Sequence, residues 1–308
     1  MRLAVKTCTL EMPYEAMLDF CVEQGVSALE IGTGNWSAAP HIDLDGLLDS
    51  KAARECWLDA QRRRGLSLCA LNCSGNPLAY GDHMAVTEKT FRLAELLGVE
   101  KIVMMSGLPA GCAGDRTPVW ITVSWPPETQ DILDYQWNEV AIPAWRRLAR
   151  LAGERGIRQI ALENHGMQLV YNPETLLRLR EAVGPVVGMN LDPSHLFWMG
   201  GDPIEAARVL GENGCLYHIH GKDARPERRM SGPNGMLDSK PIGAFRDRAW
   251  NYVAVGAGHG LQWWREFFSV ARMWGYDGDV SLEMEDLTLP MLDGHLASLR
   301  TLRDALAL

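Results

Sequence analysis

The feature that most constrains this chain is a phrase repeated along its length: a short apolar strand, a glycine-bounded turn, then a helix-period segment. Leu3–Thr7 opens the series, and a helix from Pro13 follows it and ends at Gly25. Ala28–Gly32, Leu66–Asn72 and Lys101–Met105 read as the next three strands. Helices from about Leu44 to Arg64 and from about Val86 to Leu97 separate them. A long loop, Gly107 to about Gln130, is rich in Gly, Pro and Trp. The helix after it reaches Glu154, with Pro143 expected to kink or reset it. A fifth strand ends at Glu163, a sixth at Asp192, a seventh near His220 and an eighth near Glu285. Helices from about Pro173 to Val183 and Pro203 to Leu210 follow the fifth and sixth. A helix carrying Trp264, Phe267, Phe268 and Ala271 follows the seventh, and one from about Met291 to Leu306 closes the chain.

No break in composition interrupts these eight units. The strand runs are short and aliphatic, as expected where both faces are buried. Eight alternations in 308 residues match the count and size of a (β/α)8 TIM barrel, an α/β fold, and a single domain over 1–308 is expected. Apolar content of 47% and charged content of 22% suit one large core. No apolar run approaches the roughly 20 residues of a membrane helix, and the N-terminus starts as a strand rather than a signal peptide. A cytoplasmic protein with no membrane partner is expected. The net charge of −9 argues against nucleic acid. The seven cysteines form no CxxC pair, so a thiolate zinc cluster is not expected.

The last four strands end alike. Ile160-Ala-Leu runs into Glu163-Asn164-His165-Gly166, and Val187–Leu191 into Asp192-Pro-Ser-His195. Cys215–Ile219 runs into His220-Gly-Lys222-Asp223, and Val280–Leu282 into Glu283-Met-Glu285-Asp286. In a (β/α)8 barrel the C-terminal strand ends carry the active site. Glu163, Asp192, His220 and Glu283 form a set of three carboxylates and one imidazole. Such oxygen-rich ligation suits Mn2+, Mg2+, Co2+ or Fe2+. Singly, each residue has an ordinary explanation: Asp192 could cap the following helix. His218 shares the inward face with His220 but lies deeper, and reads as a hydrogen-bonded core group. Glu285 shares a face with Glu283 and could take its place. Four successive strands behaving alike favour one site.

On the motifs Glu163-Asn-His165, Asp192-Pro-Ser-His195, His218-Ile-His220-Gly-Lys222-Asp223 and Ser281-Leu-Glu283-Met-Glu285-Asp286, the chain resembles the xylose isomerase-like TIM barrel superfamily. This sugar phosphate isomerase/epimerase group includes ketose 3-epimerases and inosose dehydratase-type proteins. The resemblance spans essentially the whole chain. It implies that Glu163, Asp192, His220 and Glu283 bind one divalent ion, commonly Mn2+. It implies that Glu163 and Glu283 flank the substrate as a proton-transfer pair, and that His195 touches a substrate hydroxyl or carbonyl. A cation chelating a carbonyl and its neighbouring hydroxyl acidifies the adjacent C–H. A carboxylate can then remove that proton, and a second acid or base completes the transfer. Isomerisation or epimerisation of a sugar or keto-sugar is the first expectation. The long loops also resemble 3-keto-glycoside lyases and the metal subunit of C-glycoside deglycosidases, which implies β-elimination as the alternative.

The substrate-binding candidates are His165, His195, Lys222, Asn72, Trp36 and His259, all at strand ends or in the loops beyond them. Trp36, Trp120, Trp125 and Trp198 lie at the same end, where indoles could stack on a sugar or build small loop cores. Gly256-Ala-Gly-His-Gly260 could cradle a phosphate on backbone amides, but no lysine or arginine adjoins it, which favours an ordinary glycine turn. The segment 222–260 is either a lid or a contact to a partner chain. The expected partners are a small carbohydrate or glycoside, and a second copy or second subunit.

Overall fold

The computed structural model describes residues 1–307. Eight parallel strands close on themselves: β1 (Arg2–Lys6), β2 (Ala28–Gly32), β3 (Ser67–Asn72), β4 (Lys101–Met104), β5 (Gln159–Glu163), β6 (Val187–Leu191), β7 (Leu216–Gly221) and β10 (Asp279–Leu282). Their order around the barrel follows the sequence, with β10 closing between β7 and β1. Two further strands, β8 (Asp223–Pro226) and β9 (Trp250–Val253), form an antiparallel hairpin outside the barrel.

Period-2 alternation divides each barrel strand into two jobs. In β5, Ile160 and Leu162 face the surrounding helices and belong to the main apolar core. The alternate residue Ala161 joins Ala70 and Val103 in a small apolar plug, and Glu163 lies one step further up the same face. Above the plug the alternating positions Lys6, Asn72, Glu163, Asp192, His220 and Glu283 are all buried. The barrel thus carries a sheath of aliphatic side chains outside and a polar throat at its C-terminal end.

The helices depart from the sequence reading in instructive places. The expected helix from Leu44 to Arg64 is two, Leu44–Asp49 and Lys51–Arg62. Ser50 between them is extended, and its side chain accepts from the Ala53 amide, so a good capping residue starts a new helix. Around Pro143 the helical run from Glu128 to Glu154 is not broken. It passes through a π-helical turn, Tyr135–Ala141, and Pro143 falls in the first turn of the helix beyond it. The stretch 222–260, for which no regular element was expected, contains the β8–β9 hairpin and a short helix, Arg228–Asn234. A short helix, Pro193–Met199, also follows Asp192 directly. Among the described residues no helix is long and apolar enough to cross a membrane.

Candidate metal centre and substrate cavity

Glu163, Asp192, His220 and Glu283 meet at the top of the throat. One donor atom from each lies within 4.8 Å of the others. His220 Nδ1 is 2.9 Å from Glu283 Oε2, 3.8 Å from Glu163 Oε2 and 3.9 Å from Asp192 Oδ2. All four residues are buried, and each leaves one of these atoms without a hydrogen-bond partner: Glu163 Oε2, Asp192 Oδ2, His220 Nδ1 and Glu283 Oε2. Buried polar atoms are nearly always satisfied, and the convergence of these four makes a cluster that could hold a cation.

The opposite edge of each ligand is secured. Asp192 does two jobs: its Oδ1 accepts from the Ser194 amide at 2.8 Å and caps the helix that follows, while Oδ2 faces the centre. Asn164 grips the Asp192 backbone at both its amide and its carbonyl. His220 Nε2 contacts Glu30, at 3.2 Å from Oε1. Glu163 Oε1 lies 3.0 Å from His195 Nε2. Lys6 Nζ bonds Glu283 Oε1 at 2.5 Å.

Glu30 is the residue that the strand-end pattern did not reveal. It sits in the interior of β2 and is fully buried. It also bonds His218 at 2.9 Å and Asn72 at 2.6 Å. His218 is thereby a hydrogen-bonded core group, as expected. Although Glu30, His218 and His220 also cluster closely, they already bond one another, which reads as support for His220.

Charge organises the throat. Burial opposes the ionised form of Glu283, but Lys222, Lys6 and His220 hold its carboxyl well below the usual range. Burial likewise works against the charge on Lys6 and Lys222. Glu283 and the surrounding acids outweigh it and hold both ammoniums well above the usual lysine range. Burial, assisted by His165, keeps His195 well below the ordinary imidazole value and so neutral. Lys222 also binds Glu285 at 2.7 Å. Carboxylates thus outnumber ammonium groups in and around the throat, where Glu30, Glu163, Asp192, Glu283 and Glu285 face Lys6 and Lys222.

Above this cluster opens a cavity of about 410 Å³. Glu163, Glu283, His165, Lys222 and Trp36 line it, as expected, and Trp36 is 52% exposed at its rim. Glu285 lines it as well, and it contacts Lys222 rather than replacing Glu283 in the metal cluster. Lys6, Ser37, Ser74, Asn76, Tyr80 and Gln168 were not anticipated there. Lys6 at the end of β1 was the legible one, because a lysine closing a buried strand is as anomalous as a glutamate.

Three expected contacts fall elsewhere. Asn72 is fully buried and spends its amide on Glu30, Ser37 and the Ser74 backbone. Two serines it touches, Ser37 and Ser74, reach the cavity instead. His195 lies behind Glu163, with no exposed surface. His259 stacks on Phe197 at 3.6 Å and bonds Asp223 Oδ1 at 2.8 Å. The glycine loop around it does cradle an anion, namely the chain's own Asp223. The amides of Gly256, Gly258 and His259 all donate to Asp223 Oδ2. A Cβ on Gly258 would lie 2.5 Å from the Ala224 carbonyl oxygen, so the approach requires glycine.

The tryptophans divide. Trp36 faces the cavity, whereas Trp198 stacks on Trp250 at 5.1 Å and meets Trp120 edge-on at 6.2 Å. That loop core sits over Gly166, where a Cβ would lie 2.5 Å from the Trp198 ring.

A sequence profile of the family described as "Xylose isomerase-like TIM barrel" matches residues 18–305. The chain belongs to that family. It is 54% identical over 314 residues to a Bacillus subtilis (strain 168) protein described as "Uncharacterized protein YfiH", with 100% of each chain covered. Among solved structures it resembles the IOLI protein, whose crystal structure has a binding zinc atom. That match has TM-score 0.67 at 18% identity and covers 100% of this chain and 98% of that one. It also resembles a D-psicose 3-epimerase with D-tagatose from Clostridium cellulolyticum H10, with TM-score 0.61 at 15% identity, covering 100% and 97%. At such identities these structures speak to the fold.

Proposed function

We propose that this xylose isomerase-like barrel is a divalent-metal-dependent isomerase or epimerase of a sugar or keto-sugar. The observation that carries the reading is the convergence of four partnerless buried donor atoms at the floor of a cavity that Glu163 and Glu283 line. The donor set of three carboxylates and one imidazole favours Mn2+, with Mg2+, Co2+ or Fe2+ as other fits, and the zinc of the IOLI structure is in keeping with a divalent ion in this fold. A bound ion would supply Lewis acidity toward a substrate carbonyl and its adjacent hydroxyl.

The chain's own residues do the rest. Glu163 and Glu283, on strands separated by two others, both reach the cavity and serve as the proton-transfer pair. Two lysines and His220 stabilise the Glu283 carboxylate and weaken it as a base, which assigns proton abstraction to Glu163 and the return of the proton to Glu283. Lys6 and Lys222 orient Glu283 and Glu285. Among the described residues no arginine lines the cavity, and both lysines are ion-paired, which favours a substrate without phosphate. Trp36 offers a face for a sugar ring to stack on.

A second reading, β-elimination from a 3-keto-glycoside, is favoured by the outer rim. Trp36, Tyr80 and Met167 make it apolar and partly exposed, and an aglycone would lie there while the sugar sits deeper. Incubating the Mn2+-loaded protein with free ketoses and with 3-keto-glucosides separates the two. Epimerised or isomerised ketose supports the first. Aglycone release without such products rejects it. Glu163→Gln should lower the rate by a factor on the order of 10²–10⁴ while the protein stays folded, and a wild-type rate would refute its role as base.

A further inference from the structure

The β8–β9 hairpin lies outside the barrel, yet one of its residues joins the chain of contacts behind the metal centre. Alternation along β9 puts Trp250 and Tyr252 on one face. Trp250 stacks on Trp198 with an interplanar angle of 2°. Tyr252 meets the His195 ring edge-on, with its hydroxyl 3.2 Å from Nδ1. The Lys222 ammonium lies 4.4 Å from the centre of the Tyr252 ring, pinning it from another side. The other nitrogen of His195, Nε2, is 3.0 Å from Glu163 Oε1 and 3.4 Å from Asp192 Oδ2.

Ionised carboxylates only accept hydrogen bonds. The nitrogen facing two of them must therefore carry the proton, and in a neutral imidazole the other nitrogen is then a bare acceptor. Fully buried, that acceptor needs a donor, and the Tyr252 hydroxyl is placed to give it one. We propose that Tyr252 is a positioning residue: its hydroxyl donates to His195 Nδ1, locks the Nε2–H tautomer, and so holds Glu163 with its free oxygen turned to the metal centre. This gives the inserted hairpin a role behind Glu163. The proposal rests on Glu163 being a ligand, as argued above, but the tautomer can be measured without substrate or turnover.

The test is ¹⁵N NMR of the histidine rings in the full chain loaded with diamagnetic Zn2+, with His195 assigned from His195→Gln. Wild-type protein is expected to show His195 protonated at Nε2 alone. In Tyr252→Phe, which removes one oxygen and keeps the ring, a second population protonated at Nδ1 should appear. A wild-type His195 protonated at Nδ1 would overturn the assignment, and this needs no variant. A Tyr252→Phe protein that keeps a pure Nε2–H signal would overturn the locking role. Calorimetric titration with Mn2+ adds the functional arm. Loss of such outer support costs 10–100-fold in affinity, so Tyr252→Phe should bind about tenfold more weakly. An unchanged Kd would overturn the link to Glu163, whereas wild-type protein that binds no metal would instead count against the metal-dependent function.

Discussion

Glu30 holds His220 by its Nε2, at 3.2 Å, and leaves Nδ1 facing three carboxylates. The two residues come from β2 and β7, with β1 and β10 between them, so the bond crosses the barrel lumen. Carboxylate–histidine pairing of this kind fixes which ring nitrogen can coordinate and how the ring is turned. Glu30 itself stays ionised: burial opposes its charge, but His220 and His218 hold it well below the usual carboxylate range.

Glu30→Gln is therefore expected to weaken divalent-metal binding by about 10–100-fold, although Glu30 itself is not among the four ligands. Calorimetric titration of wild-type and variant proteins reads the effect. Affinity equal to wild type would show that His220 is oriented by other means.

His218→Ala should damage stability more than chemistry. The substitution empties a fully buried position and takes from Glu30 Oε2 its 2.9 Å partner, leaving the longer His220 contact at 3.3 Å. Losing a hydrogen bond to a buried charged group costs about 1–3 kcal/mol. Denaturant unfolding of the variant, set beside its turnover, decides the matter. An unfolding free energy like wild type with a collapsed rate would assign His218 to the reaction instead.

What the sequence disclosed and what it hid follow from physics rather than chance. Glu163, Asp192, His220 and Glu283 stand out because charged groups ending aliphatic strands make no sense as packing. Glu30 has the same chemistry but lies in mid-strand, in Ala-Leu-Glu-Ile-Gly, where its inward neighbours are far off in sequence; only closure of the barrel shows that His218, His220 and Asn72 await it. His259 misled for a related reason. A histidine in a glycine loop at the correct end of the barrel looks exposed to substrate, but Asp223, 36 residues earlier, claims both its amide and its ring. The hairpin was illegible because β8 contains Pro226 and each strand is four residues long, too short for a period-2 signal to emerge.

Two histidines outside the candidate metal cluster give the stability a pH slope. Burial pushes His41 and His295 below their ordinary value near 6.5. For a base with a depressed folded pKa, the unfolded chain takes up the proton first, so this contribution is present above about 6.5 and lost as the pH falls through the folded values. Urea midpoints are expected to drop between about pH 7.5 and pH 5.5, with a shallower slope in His295→Gln. A variant slope identical to wild type would show that His295 does not carry the effect.

The measurement that reaches the centre of the account is calorimetric titration of Mn2+ into chelator-stripped full-length protein, wild type beside Asp192→Asn. The account predicts one ion per chain in the wild type and loss of that binding in the variant, with the Asn side chain still able to cap the helix from Pro193 to Met199. Absence of saturable binding in the wild type, or equal binding in both proteins, would contradict it.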